Sequence, residues 1–255
     1  MSGFGVGLGM LATPGEIAPL SACCAIGCGM LITAGGNTLN DYYDADIDLV
    51  NHPQRPIPSG RIRRWTAKML AVGELLAGLI LGRIVNEACG WVALLAVAAL
   101  VAYERGGLKN AGLPGNVAIS LLTGLLFLAG GTAMGNPWPT ASLALLAFVA
   151  SLGREIAKDI EDIRGDTTRR TWPMRVGVRP ARLAASFLFA VAALLSPLPY
   201  LLRTLSIWYL YVVMPANVVF IWIIFALLRS KEGISRWTKG AMLIVLVAFL
   251  VGALT

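Results

Sequence analysis

The sequence contains few charged side chains and almost none of the residue types that build soft-metal sites. Only 14% of its 255 residues are charged, whereas soluble domains carry about 25%, and 57% are hydrophobic. The mean hydropathy of +0.72 argues against an ordinary soluble domain. The single histidine, His52, lies in a loop and the four cysteines lie in apolar stretches, so no zinc-type ligand spacing is present.

Apolar runs follow one another along the whole chain and predict an integral membrane protein. A helix needs about 20 apolar residues to cross a bilayer, and several runs need their polar ends to reach that length. They predict an all-α membrane protein, a bundle of about nine transmembrane helices in a single domain over residues 1–255. The first run is abbreviated, which a span beginning upstream of Met1 would explain. The runs are residues 2–13, 17–39, 65–81, 88–103, 113–134, 141–152, 183–202, 207–228 and 239–254.

Basic residues are distributed unevenly between the two predicted faces of the bundle. The loops and helix ends that follow helices 2, 4, 6 and 8 contain all of the 21 Lys and Arg residues except Arg83 and Arg203. Cytoplasmic loops of membrane proteins carry an excess of Lys and Arg, so these loops are predicted to be cytoplasmic. The net charge of +7 therefore reflects topology. Cations in short loops between spans give no support to nucleic acid binding.

Acidic residues are concentrated in two windows at this predicted cytoplasmic face, which together hold nine of the 14 Asp and Glu residues. In the first window, Asn40, Asp44 and Asp48 are spaced by four residues, so a continued helix would place them on one face. Asp41 joins this stripe through Asp44. Asp46 lies off the stripe, and we expect it to be solvated or paired with a loop arginine.

The second acidic window follows helix 6 and has the same helical spacing. Glu155, Asp159, Asp162 and Asp166 stand at i, i+4, i+7 and i+11, again one stripe. Glu161 is expected to point elsewhere and to be solvated or paired with a loop arginine. Surface aspartates that balance nearby arginines would explain one such cluster, but two clusters at matching helix ends indicate a shared site.

Two carboxylate stripes that face one cavity would repel each other unless a cation lies between them. Mg²⁺ suits this position, because it takes oxygen ligands and is usually bound by one or two carboxylates together with substrate phosphates. The lack of clustered His and Cys argues against a softer metal. With basic residues interleaved, the pattern describes a Mg²⁺–diphosphate site, in which aspartates hold the metal and Lys or Arg binds the outer phosphate oxygens.

Three motifs in these windows resemble those of one enzyme family. The segment "NDYYDADID" resembles the NDxxDxxxD motif of the UbiA superfamily of intramembrane prenyltransferases, and "RPIPSG" just after it resembles RPxxSG. The segment "DIEDIRGD" resembles the DxxDxxxGD-type motif, and "GREIAKDIED" is similar to the archaeal branch. "YERGGLKNAGLPGN" resembles the tyrosine–lysine loop between helices 4 and 5. The resemblance spans nearly the whole chain, except that the family's polar lead into helix 1 is missing.

This resemblance implies a nine-helix bundle around a central cavity open to the lipid, and transfer of an isoprenyl group from its diphosphate to an acceptor. It also implies two Mg²⁺ ions that bridge the substrate diphosphate. One ion would be bound by Asn40, Asp44 and Asp48, with Asp41 adjacent. The other ion would be bound by Asp159, Asp162 and Asp166.

The resemblance and the loop cations add further candidate residues. Tyr103 and Lys109 match the loop thought to close over the diphosphate, which implies catalytic roles for both. Asn116, near the start of helix 5, is expected to cap that helix. The candidates for phosphate contact are Arg55, Lys158 and Arg164, and the candidate for an acceptor phosphate is Arg175.

The acceptor is the least determined part of the predicted function. Membership of the archaeal branch would imply geranylgeranyl diphosphate as donor and geranylgeranylglyceryl phosphate as acceptor, in ether-lipid synthesis at the cell membrane. An aromatic prenyltransferase acting on a quinone precursor such as 4-hydroxybenzoate stays open, because the motifs recognise the diphosphate and not the acceptor. A divalent-cation or ion transporter would place acids at the midplane of several helices, whereas only Glu74 lies well inside a span.

Overall fold

The computed structural model describes residues 2–105, 107–163, 171–231 and 233–255, and every regular element within these ranges is helical. The predicted all-α bundle of about nine helices is confirmed, since nine helices of the described chain have ten residues or more and two are shorter. In order they are α1 (Ser2–Leu11), α2 (Pro19–Asn51), α3 (Arg64–Val85), α4 (Glu87–Glu104), α5 (Leu113–Ala133), α6 (Ala141–Asp162), α7 (Trp172–Val176), α8 (Val178–Leu195), α9 (Leu198–Leu201), α10 (Ile207–Leu228) and α11 (Ile234–Leu254).

The protein is a multi-pass membrane protein. Seven helical segments of the described ranges are long and apolar enough to cross a membrane, and they contain α2, α4, α5, α6, α8, α10 and α11. The ten-residue α1 is too short. Helix α3 contains Lys68, Glu74 and Arg83 and is not among the seven, but its 22 residues are long enough to cross. It runs antiparallel to α2, with Gly35 beside Leu75 and Gly78 beside Ile32. Large apolar side chains such as Trp91 and Leu194 are more than 60% exposed, as expected where a helix faces lipid.

Helix α2 is longer than a bilayer requires, and this surplus places the first acidic stripe. Its 33 residues span about 50 Å, whereas the hydrocarbon core is about 30 Å thick. The apolar part ends at Leu39, and the helix continues without a break to Asn51. The polar end of α2 therefore extends as a continuous helix beyond the hydrocarbon core of the membrane.

The short helix α1 is held against α5 by a close backbone crossing. A Cβ atom added to Gly9 would lie 2.2 Å from the carbonyl oxygen of Phe127, and one added to Gly130 would lie 2.1 Å from that of Val6. Glycine permits such an approach, as small residues do where membrane helices pack closely. Because Ser2 and Gly5 of α1 line the central cavity, this crossing fixes part of the cavity wall.

Candidate active site

A central cavity of about 760 Å³ lies among α1, α2, α4, α5, α6 and α11. This volume falls within the range of about 300–1,000 Å³ that is common for small-molecule sites. Most of the lining is apolar, and the amide and charged groups come from the C-terminal parts of α2, α4 and α6 and from the start of α11. Those groups are Asn37, Asn40, Glu104, Arg154, Glu155 and Lys239. The cavity therefore suits an amphiphile whose apolar part lies inside and whose polar part lies at the rim.

The first predicted stripe lies on an unbroken helix. Because α2 continues through Asn51, Asn40, Asp44 and Asp48 keep their helical spacing. Asn40 lies at the cavity wall, Asp44 one turn further along, and Asp48 is buried, with only 4% of the residue exposed. The stripe thus leads from the cavity to the projecting end of the helix.

Lys109 connects this stripe to the end of α4. Its Nζ lies 2.7 Å from Oδ2 of Asp44 and 3.1 Å from Oε2 of Glu104. The other carboxylate oxygen of Glu104 accepts a hydrogen bond of 2.9 Å from Nδ2 of Asn40. The side chains of Lys109 and Glu104 are only 8% and 4% exposed, so these contacts are shielded from solvent. Four side chains from three segments thus form one charged, hydrogen-bonded network.

Glu104 is a candidate site residue that the sequence reasoning missed. It directly follows Tyr103 in the tyrosine–lysine loop segment, and it is one of only 14 acidic residues in the chain. Those two facts could have singled it out. Its partners could not be foreseen, because Asn40 and Lys109 reach it from other segments of the chain.

The position of Lys109 follows from the local backbone. Leu108–Asn110 forms a single 3₁₀ turn that begins after Gly107, whose φ of 77° is left-handed and suits glycine. A Cβ atom on Gly115, in the first turn of α5, would lie 2.5 Å from the carbonyl oxygen of Leu108. Glycine at that position lets the turn pack directly onto α5, so that Lys109 is held beside α2.

Arg55 neutralises the outer part of the stripe. Its Nη1 lies 2.7 Å from Oδ2 of Asp48 and 3.2 Å from Oδ1 of Asp41, which brings both predicted residues into one ion-paired group. Asp46 is paired instead with Arg64 at 3.0 Å, and its side chain is 72% exposed. Asp46 thus lies off the stripe and pairs with an arginine, as expected, although Arg64 is the first residue of α3 and not a loop residue.

The second predicted stripe is described only in part. Helix α6 ends at Asp162, which is exposed, as is Lys158. Oδ2 of Asp159 accepts a hydrogen bond of 2.8 Å from Nδ2 of Asn116. The capping role expected for Asn116 is wrong, because α5 begins at Leu113 and the amide instead reaches α6. Of the other predicted residues, Arg164 and Asp166 lie outside the described residues.

Two residues near the second stripe have partners that differ from those expected. Oε1 of Glu161 accepts a hydrogen bond from the amide of Ser235 at 3.2 Å rather than pairing with an arginine. Arg175 does not line the cavity; its Nη2 donates to the carbonyl oxygen of Asn110 at 2.7 Å. Arg175 therefore supports the turn that carries Lys109.

The donor atoms at the rim fit a hard divalent cation. Carboxylate and amide oxygens, the groups that Asn40, Asp44, Asp48 and Asp159 present, are the ligands that Mg²⁺ prefers. As placed, no group of three or more His, Cys, Asp and Glu side chains in the described ranges could hold a metal ion. The carboxylates of α2 are neutralised by Lys109 and Arg55 instead.

The helical bundle, the large apolar cavity and the ion-paired, oxygen-rich rim define a membrane protein with an internal site for an amphiphilic ligand. The chain belongs to the UbiA prenyltransferase family, because the model of that family matches residues 2–251. The resemblance carried by the sequence motifs is thereby confirmed, and the protein is a prenyltransferase.

Similar proteins agree with this assignment over most of the chain. Digeranylgeranylglyceryl phosphate synthase of Methanothrix thermoacetophila is 43% identical over 226 residues, which cover 88% of this chain and 83% of that protein. A solved structure of digeranylgeranylglyceryl phosphate synthase in membranes is 35% identical, with a TM-score of 0.86 over 99% of this chain and 92% of that one. A UbiA homologue from Archaeoglobus fulgidus, bound to DMAPP and Mg²⁺, shares the fold with a TM-score of 0.76 at 18% identity and covers 100% of this chain and 94% of its own.

Proposed function

We propose that this protein transfers a geranylgeranyl group from geranylgeranyl diphosphate to the free hydroxyl of geranylgeranylglyceryl phosphate, and that it requires Mg²⁺. The observation that carries the proposal is the apolar cavity with the Asn40–Glu104–Lys109–Asp44 network at its rim. Relatives up to 43% identical that are named digeranylgeranylglyceryl phosphate synthase support the choice of acceptor.

In this proposal the rim residues bind the diphosphate and assist its departure. Asn40, Asp44 and Asp48 would hold one Mg²⁺, and Asp159, Asp162 and Asp166 a second. Metal bound by these residues would supply positive charge that neutralises the leaving diphosphate. Lys109, together with the loop cations Arg55, Lys158 and Arg164, would bind the outer phosphate oxygens. The UbiA homologue bound to DMAPP and Mg²⁺ supports the choice of this ion.

The reaction breaks one carbon–oxygen bond and forms another. The allylic carbon–oxygen bond of the donor breaks, and diphosphate departs with the electron pair. The acceptor hydroxyl oxygen then bonds to the allylic carbon and releases its proton to solvent at the rim. Departure of the diphosphate leaves positive charge on the allylic carbon, and the apolar walls exclude water that would react with it. Tyr103, which lines the cavity, offers an electron-rich ring that would stabilise this charge.

The proposed active site faces the cytoplasm. The support for this orientation is the excess of Lys and Arg in the loops on the same side as the acidic stripes. Water-soluble diphosphate would then be released into the cytoplasm, while the lipid product stays in the membrane.

The test offers purified protein geranylgeranyl diphosphate with either geranylgeranylglyceryl phosphate or 4-hydroxybenzoate, with and without Mg²⁺. We expect an ether product from the first acceptor, and only with Mg²⁺. Prenylation of 4-hydroxybenzoate alone would instead support an aromatic prenyltransferase. If neither product forms in the presence of Mg²⁺, the proposed donor chemistry is wrong.

A further inference from the structure

The cavity has a second charged side that the diphosphate site does not use. Arg154 on α6 and Lys239 on α11 both line it, whereas the network around Asp44 comes from α2, α4 and the turn before α5. Helices α6 and α11 pack against each other through Ile156, Ile234 and Ala241 in one apolar core. The two cations therefore belong to neighbouring helices that bound one cavity.

Arg154 lies deeper along α6 than the predicted metal ligands. It precedes Asp159 by five residues, which is about 7.5 Å along a helix axis. If the diphosphate binds at Asp159 and Asp44, as proposed above, its prenyl chain would extend into the apolar cavity, and the allylic carbon would lie on the cavity side of the phosphates. Arg154 thus lies at a depth where the acceptor, rather than the diphosphate, has its polar group.

The chemistry of the acceptor requires an anion close to the reaction centre. In geranylgeranylglyceryl phosphate only two carbon atoms separate the attacking hydroxyl oxygen from the phosphate oxygen. When the hydroxyl reaches the allylic carbon, the phosphate must therefore lie at the polar end of the cavity. A phosphate monoester placed beside an apolar wall requires cationic partners, and arginine and lysine are the usual ones.

The charged groups that line the cavity leave a positive charge on the α6–α11 side. Glu104 is already bonded to Lys109 and Asn40. Glu155 pairs with Nη1 of Arg154, and a guanidinium has five N–H donors in all. Lys239 forms no hydrogen bond or ion pair with residues in the described ranges. Arg154 and Glu155 on α6 and Lys239 on α11 together carry a net charge of +1.

We propose that Arg154 and Lys239 form the binding site for the phosphate group of the acceptor. This inference rests on the proposed function, and it names the side chains that distinguish a phosphorylated glyceryl ether from an uncharged acceptor. Glu155 holds the guanidinium of Arg154 toward the cavity, and Lys239 supplies the additional charge. This site takes the role that the sequence suggested for Arg175. Arg175 is bonded to Asn110 and does not line the cavity.

The test compares Lys239→Gln with the native protein, using geranylgeranylglyceryl phosphate and its dephosphorylated alcohol as acceptors. Both binding in lipid nanodiscs without donor and steady-state turnover are measured. We expect the Kd and KM for the phosphorylated acceptor to rise about tenfold, with unchanged values for the alcohol and for geranylgeranyl diphosphate. Lys239 is exposed, so the Lys239→Gln variant is expected to fold. The Arg154→Gln variant is measured in the same way as a second test of the site.

Arg236→Gln is the matched control, because Arg236 is an exposed cation on the same helix that does not line the cavity. Equal effects of Lys239→Gln on both acceptors, or no effect on either, would overturn the proposed phosphate site. A selective rise in the KM for the diphosphate would assign Lys239 to the donor. If the native protein binds the phosphorylated acceptor tightly but forms no ether, the proposed function fails while the phosphate site stands.

Discussion

Glu104 illustrates how a residue can matter through the side chains that it orients. Its carboxylate is almost fully buried and bonds to both Asn40 and Lys109. A buried carboxylate is costly unless it is paired and hydrogen-bonded, and here both oxygens are satisfied. Glu104 therefore holds an amide from α2 and an ammonium group in fixed positions relative to each other.

Replacing Glu104 by Gln should weaken this positioning without removing the side chain. The loss of charge-assisted bonds to Lys109 should lower kcat/KM for geranylgeranyl diphosphate about 10–100-fold. Steady-state kinetics in detergent check this value, with the KM for the acceptor unchanged. Glu87→Gln is the control, since Glu87 is an exposed acid at the other end of α4. Native kinetics in Glu104→Gln would show that the network has no role in turnover.

Asp44 and Asp46 offer a matched pair on one helix. Asp44 faces Lys109, whereas Asp46 is exposed and faces Arg64. We expect Asp44→Asn to lower turnover at least about 100-fold, because a charged ligand near the leaving group is lost. Asp46→Asn should retain nearly native turnover. Rates measured over a Mg²⁺ titration check both variants, and comparable losses in the two would contradict the assignment of the stripe.

Sequence spacing predicted residues that share a helix but not those that meet across helices. Asn40, Asp44 and Asp48 could be grouped because their spacing of four matches the helix period. The bonds of Glu104 to Asn40 and of Asn116 to Asp159 join residues 64 and 43 positions apart. No periodicity within one segment reports which helices become neighbours, so those partners required the structure.

At the scale of elements, the hydropathy pattern predicted the helices but misplaced some of their ends. The apolar run at residues 17–39 belongs to α2, which ends at Asn51, and the run at 141–152 belongs to α6, which ends at Asp162. Hydropathy falls where a helix leaves the apolar core, although the backbone hydrogen bonds continue. The charged helical spacing beyond Leu39 and Leu152 was the better indicator of where these helices end.

The crossing of α1 and α5 can be tested with two glycines of the same helix. Gly9→Ala should lower the stability by about 1–3 kcal/mol, because its Cβ would overlap the carbonyl oxygen of Phe127. Gly7→Ala should be neutral or slightly stabilising, since nothing lies within 4 Å of its added Cβ. Thermal unfolding in detergent measures the difference. Equal melting temperatures for the two variants would show that the crossing contributes no stability.

At the scale of the whole molecule, the basic loops predict one orientation in the membrane. Ser59, in the loop after α2, and Asn136, in the loop after α5, are both exposed and are expected on opposite faces. In intact cells, an impermeant maleimide should label Asn136→Cys and not Ser59→Cys, while inside-out vesicles should reverse the pattern. The native chain gives the background from its own four cysteines. Labelling of Ser59→Cys in intact cells would contradict the cytoplasmic site.

The length of α2 also determines where the charged rim lies relative to the edge of the membrane. Residues 19–39 span about 30 Å, so Asn40 lies at the edge of a typical hydrocarbon core and Asp44 about 6 Å further out. Lipids with longer chains would immerse Asn40 first, and they would reach Asp44 only after thickening by about one helical turn. Hydrophobic mismatch therefore makes membrane thickness a physical variable that acts directly on the charged rim.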